Sequence, residues 1–277
     1  MKHGHHFIST ASYTIILAVG LSVMDLQHVF IIFGAQAFAM MVFSFEKNVI
    51  KAPRPFFVDP DIPVEACKFA EFGSPSGHSF AASTIYTNVT ALILKYYKSS
   101  RKTSILAFSC ITAPIVLFTG VSRVYEGMHS VDQVLSGIVQ GAIVAYLFAE
   151  VLYEYMLDLF DHLGELSYFQ VVVGNAYGLT MFLGNVASLI LYFYSDSNYT
   201  VPEEWLTTIQ TKCPELKAGE QNPILQSLEY SMISLGTFGS LMGISFEAKV
   251  FGSNKYKAFN KTSVVVSVLR TIVMVAG

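Results

Sequence analysis

The sequence predicts an all-α membrane protein, a polytopic bundle of about eight transmembrane helices forming a single integral domain over residues 1–277. Two observations lead there. Of the 277 residues, 53% are hydrophobic and 13% charged, against about 25% charged in soluble domains. A soluble protein so poor in charge would struggle to cover its surface. Apolar runs of membrane-spanning length also recur along the whole chain, with no long linker, repeat or low-complexity tract between them.

In order, the predicted spans lie near 7–24, 28–45, 78–96, 103–121, 131–153, 169–194, 226–246 and 262–277. The first run has a second reading as a signal peptide, because Ala18-Val19-Gly20 offers a small-residue cleavage pattern. Its length, and a charged leader consisting only of Lys2, favour a span. His3, His5 and His6 read as a solvated terminus, since nothing nearby supplies further metal ligands. The acidic stretch from Glu150 to Glu165 reads as a solvated connection, and Trp205 as an anchor for an interfacial helix.

Counting alternate ends puts the loops at 46–77, 122–130 and 195–225 on one face. The opposite face receives Lys95, Lys98, Arg101 and Lys102, then Lys249, Lys255, Lys257 and Lys261. Short loops rich in Lys and Arg stay cytosolic. The 195–225 loop sets Lys212 and Lys217 against Asp196, Glu203, Glu204, Glu215 and Glu220. The first face is therefore expected in a lumen or outside the cell. Asn198-Tyr199-Thr200 is a glycosylation pattern on that face, and Cys67 and Cys213 fall there, free or disulfide-bonded; Cys110 sits within a span as a packing residue.

Three short blocks carry the chemistry: Lys47 with Arg54-Pro55, Pro75-Ser76-Gly77-His78, and Ser122-Arg123 with His129. The transition state of a phosphoryl transfer spreads charge over three equatorial oxygens. Lys47, Arg54 and Arg123 supply counter-charge, the arginines with paired hydrogen bonds. Ser76 offers a hydroxyl, and Gly77 permits close backbone approach at the start of a predicted helix. Of two histidines, one attacks phosphorus as neutral imidazole and the other protonates the leaving oxygen; an ordinary pKa near 6.5 makes both forms accessible. Singly, each residue has a bland reading, as an interfacial histidine or a snorkelling cation. Their joint spacing on one face does not. No metal is called for, because the histidines sit in a cationic setting, and no cofactor or nucleic-acid partner is expected.

These blocks resemble the three signature motifs of the type-2 phosphatidic acid phosphatase superfamily, covering residues 47–137 of a catalytic core near 28–157. The additional spans of residues 160–277 carry no assigned chemistry. The resemblance implies His129 as the nucleophile that becomes phosphohistidine and His78 as the general acid. It also implies Lys47, Arg54, Ser76, Gly77 and Arg123 as phosphate ligands. That family usually has Asp four residues after the nucleophile. Here Gln133 holds that position and Asp132 precedes it, and either could reach His129 from the next helical turn. Gly73-Ser74-Pro75-Ser76-Gly77-His78 with Gln133 is similar to glucose-6-phosphatases, whereas Ser122 to Ser130 is similar to sphingosine-phosphate phosphatases. Both branches imply the endoplasmic reticulum, a lumenal site and a phosphorylated lipid or sugar as substrate among the membrane lipids. A reading from another class is a non-catalytic membrane subunit that binds an anion or headgroup. A vanadate-bearing haloperoxidase is disfavoured because those enzymes are soluble.

Overall fold

The computed structural model describes residues 26–64, 70–216 and 221–224, with isolated helical positions between 235 and 250. Its first helix, α1 (Leu26–Ile50), is apolar around its whole circumference, the pattern of a helix surrounded by protein. Ile31, Ile32, Ala35 and Phe43 form the centre of the main core. Around them pack Phe80, Ile85 and Leu92 of α3 (Gly77–Tyr96), Phe148, and Met181 of a later helix. Between them α2 (Pro55–Val58) is a single turn opened by a proline.

The fourth helix is continuous through a wide turn: α4 (Arg101–Ala107), a π-helical segment (Phe108–Thr112), then α5 (Ala113–Tyr125). A second π-helical segment (Leu147–Val151) ends α6 (Val131–Tyr146). Helices α3 and α6 approach unusually closely. A Cβ on Gly137 would lie 2.6 Å from the Ser76 carbonyl oxygen, and one on Gly141 2.5 Å from that of Phe80. Glycines four apart thus let two backbones meet, as small-residue pairs do between membrane helices. Ser83 Oγ donates to the Ile138 carbonyl at 2.7 Å across this contact.

Among the described residues, four stretches are long and apolar enough to cross a membrane: Gln27–Val58, Arg101–Tyr125, Val131–Val151 and Ala176–Asn198. They correspond to the expected spans at 28–45, 103–121, 131–153 and 169–194. The expected span at 78–96 is the helix α3, but it does not reach that hydropathy. It buries Ser79, Ser83, Thr84 and Asn88 among its neighbours, and a helix screened from lipid need not be apolar. The expected spans at 7–24 and 262–277, the signal-peptide alternative and the terminal histidines lie outside the described residues, as does most of 226–246. Exposed Leu135, Val139 and Ile143 on α6 give that helix an apolar outer face.

One expectation is corrected. The acidic stretch after Glu150 is no solvated connection: α7 (Tyr153–His162) buries Tyr153, Met156, Leu159 and Phe160 in the main core. Their spacing of three to four residues makes one apolar stripe, which its charges obscured. After α8 (Tyr168–Val172) and α9 (Ala176–Asn198) comes α10 (Glu203–Lys212). Trp205 of α10 is packed against protein, its ring 6.0 Å from that of Phe57. Helix α10 thus covers α2, with Lys212 Nζ donating to the Ile62 carbonyl at 2.9 Å. Cys213, just beyond it, is disulfide-bonded, and Cys110 is free and exposed; Cys67 lies outside the described residues.

Candidate active site

The three sequence blocks converge at one end of the bundle. Lys47 ends α1, and Arg54 caps α2 in the extended conformation imposed by the following proline. Ser76 caps α3, Arg123 lies in the last turn of α5, and His129 sits in the turn before α6. That turn is tight: the N–H groups of Met128 and His129 both donate to the Arg123 carbonyl, and Gly127 takes φ +70°. Lys47, Arg54, Ser76, Arg123 and His129 are all buried, while His78 is half-buried.

The hydrogen bonds of His129 fix its tautomer. Nδ1 lies 2.8 Å from the Gly73 carbonyl oxygen, which can only accept, so Nδ1 carries the proton. The lone pair is then on Nε2, 3.3 Å from the Arg54 guanidinium. Burial first, then the charges of Arg54, Lys47, His78 and Arg123, hold His129 well below the usual histidine range. It is a neutral imidazole whose free nitrogen faces a cation, the state and direction a nucleophile toward an anionic phosphoryl group requires.

Between the two candidate partners of His129, the geometry separates roles. Gln133 Oε1 is 3.3 Å from His129 Nδ1, whereas Asp132 is exposed on the first turn of α6, a favourable place for a carboxylate at any helix start. Gln133 also joins all three blocks. Its Nε2 donates to the Pro53 carbonyl at 2.9 Å, and its own carbonyl accepts from Ser76 N–H at 3.0 Å. Gly73 has no space for a side chain, since a Cβ there would lie 2.6 Å from the Pro53 oxygen and 2.7 Å from the Gln133 amide. Gln133→Leu, which keeps the bulk but loses all three side-chain bonds, that from Ser130 N–H at 3.3 Å included, is expected to lower kcat about 10-fold or more. Steady-state kinetics beside an unchanged circular dichroism spectrum would check it, and an unaltered kcat would refute the orienting role.

Sequence reasoning missed two carboxylates. Glu71 Oε1 lies 2.7 Å from Arg54 and 3.4 Å from Lys47, and Arg54 Nε donates to the Glu71 carbonyl at 2.8 Å. Lys47 also donates to the Phe72 carbonyl, and Arg123 is paired with Glu126. A buried cluster of three cations demands counter-charge, and that requirement was the available signal. Ser79 Oγ donates to Ser76 Oγ at 3.0 Å. Gly77 serves packing as well as approach: a Cβ there would meet the Phe43 ring at 2.5 Å. Arg123 Nε is buried without a hydrogen-bond partner, a donor left for a ligand. Among the described residues no cluster of His, Cys, Asp and Glu could hold a metal ion.

Comparison with known proteins adds three findings. Residues 26–156 match the family model for the PAP2 superfamily. Phosphatidylglycerophosphatase B of Bacillus subtilis (strain 168) is 32% identical over 78 residues, 28% of this chain and 38% of that protein. Sphingosine-1-phosphate phosphatase 2 of Mus musculus is 29% identical over 108 residues, 39% of this chain and 29% of that protein. The matches thus span less than two fifths of either relative's length, and no solved structure matches. The region that matches the PAP2 superfamily model contains every residue of the buried cluster just described.

Proposed function

We propose that this protein is a membrane-embedded phosphatase that hydrolyses a lipid phosphate monoester through a phosphohistidine. The observation that carries this reading is the tautomer of His129, whose Nε2 lone pair faces Arg54 at 3.3 Å. Nε2 attacks phosphorus, an N–P bond forms, and the bond from phosphorus to the lipid oxygen breaks. His78, at the second position of α3, gives its proton to that oxygen. Water then attacks the phosphohistidine, His78 takes its proton back, and inorganic phosphate leaves. Lys47, Arg54 and Arg123, with Ser76 and the first-turn N–H groups of α3, hold the phosphoryl oxygens. Gln133 and the Gly73 carbonyl orient the nucleophile in place of an aspartate.

A lipid is favoured over a sugar because both curated relatives are named for lipid phosphates. An endoplasmic-reticulum location with a lumenal site is favoured by the basic 95–102 segment at the far end of α3 and by the disulfide-bonded Cys213 beside the site. The test is an assay of purified protein, in chelator, against phosphatidylglycerophosphate, sphingosine-1-phosphate and glucose-6-phosphate, with acid- and base-quenched samples probed for labelled protein. Lipid turnover with an acid-labile, base-stable phosphoprotein is the expected result. Faster hydrolysis of the sugar phosphate, or absence of labelled protein during turnover, would overturn it.

A further inference from the structure

The end of the bundle away from the catalytic groups holds a second feature. His78 and Lys95 stand 17 residues apart on α3, about 26 Å at 1.5 Å per residue. Starting about 14 Å from His78 along the helix, a cavity of about 710 Å³ lies between α3, α4 and the end of α6. Thr87, Ala91, Leu94 and Lys98 line one wall. From Thr87 to the helix end at Tyr96 is about 14 Å, close to the roughly 15 Å that half of a bilayer's hydrocarbon core occupies. The groove is therefore as deep as one leaflet.

Both opposing helices are locally widened beside it. Phe108 opens one π-helical segment and Ala149 lies within the other, and both residues line the cavity. Such segments concentrate at functional sites because the extra residue in the turn re-aims its neighbours. Helix α4 buries none of its seven residues, so it stands off from the bundle and leaves the groove open. Lower down, Thr90 and Thr112 share a hydrogen bond of 2.7 Å that holds the two helices together.

The mouth is basic. Lys95 donates to the Ala149 carbonyl at 2.9 Å and lies 3.5 Å from Glu150, the one carboxylate in the lining. Lys98 stands exposed at the rim beside Ser99 and Ser104, followed by exposed Arg101 and Lys102. No Asp or Glu occurs between residues 72 and 125. Lys98 also occupies a place where glycine is usual. Its N–H bonds to the Lys95 carbonyl and that of Ser99 to Leu94, the paired closure of a helix end, with φ +49° at Lys98. A lysine held in that conformation is strained relative to glycine, and here it sets an ammonium group at the mouth.

We propose that this groove binds an anionic phospholipid of the leaflet opposite the catalytic end. The headgroup phosphate meets Lys98 and the neighbouring hydroxyls, and an acyl chain lies along Leu94, Ala91 and Thr87. Basic recesses between membrane helices recognise anionic headgroups in this way. The inference rests on the membrane-embedded reading above but not on catalysis.

Native mass spectrometry of the detergent-purified protein tests it, with phosphatidylglycerol and phosphatidylcholine of equal chain length. Phosphatidylglycerol is a diester, so a monoesterase leaves it intact. Wild type and His129→Ala are expected to retain phosphatidylglycerol about fivefold over phosphatidylcholine. Lys98→Gln should abolish that preference, and Ala91→Phe should displace both lipids by filling the groove. Equal retention by wild type, a preference surviving Lys98→Gln, or displacement by millimolar inorganic phosphate would overturn the proposal. A protein that remains in solution without detergent would instead remove the membrane reading.

Discussion

His129→Ala is expected to lower turnover of the lipid monoester by about 10⁴-fold or more, the scale at which loss of a covalent nucleophile falls. Binding of vanadate or phosphate should survive, because Lys47, Arg54 and Arg123 remain. A second consequence separates this residue from a merely structural histidine. Burial and neighbouring cations keep His129 neutral in the folded protein well below the usual histidine range, whereas the unfolded chain protonates it near 6.5. Between those values the unfolded state binds more protons, so stability is fully present above about pH 6.5 and falls as the pH is lowered, by up to about 1.4 kcal/mol per pH unit. His129→Ala should flatten this slope. A bound oxyanion, by favouring the imidazolium, should flatten it in wild type too. Thermal unfolding in detergent between pH 5 and 7.5 makes the measurement. Identical slopes for wild type and variant would refute the assigned environment.

Glu71→Ala should have the largest effect on stability. The carboxylate serves Arg54 and Lys47 together, and its loss leaves two buried cations facing each other. Removing one partner of a buried ion cluster typically costs about 3–5 kcal/mol. Phosphate then becomes the missing counter-ion. The variant should be rescued by phosphate more strongly than wild type, and product inhibition should tighten by about tenfold or more. Physically, Glu71 keeps the empty cradle neutral enough to fold and lowers its hold on released phosphate. Denaturation curves with and without phosphate, beside inhibition constants, test both effects. A variant of wild-type stability with unchanged inhibition would show that Glu71 is not the counter-charge.

The convergence of the blocks was legible because spacing alone placed Lys47, Arg54, His78, Arg123 and His129 on one face, and the helices deliver them to one end. What spacing does not encode is where buried charge finds its complement. Glu71 lies outside the three blocks and Glu126 sits between Arg123 and His129 with no role read from the sequence, and both become visible only when the cations are seen to be dry. The choice between Asp132 and Gln133 turned on helix phase: one residue of rotation, about 100°, sends the carboxylate to solvent and the amide to His129. The Gly73 carbonyl had no sequence signature, because any residue has one. The apolar stripe of α7 was hidden by Glu154, Asp158 and Asp161 between its buried positions. The glycine pair on α6 was readable as small-residue spacing, yet its meaning needed the partner helix.

The polar interior of α3 bears on how such a chain is made. Ser79, Ser83, Thr84 and Asn88 lie buried on a helix that carries both Ser76 at its start and Lys95 near its end. A segment of that character gains little from entering hydrocarbon by itself, and the Ser83 hydroxyl finds its acceptor, the Ile138 carbonyl, only when α6 arrives. Helix α6, which supplies the closest of those neighbours, is synthesised more than thirty residues later than the end of α3. On the proposed membrane-embedded reading, α3 enters the bilayer as one of a group rather than by itself. The helix that carries His78 would then be the last of the core to settle, and damage to the glycine face of α6 would appear first as a failure of membrane integration.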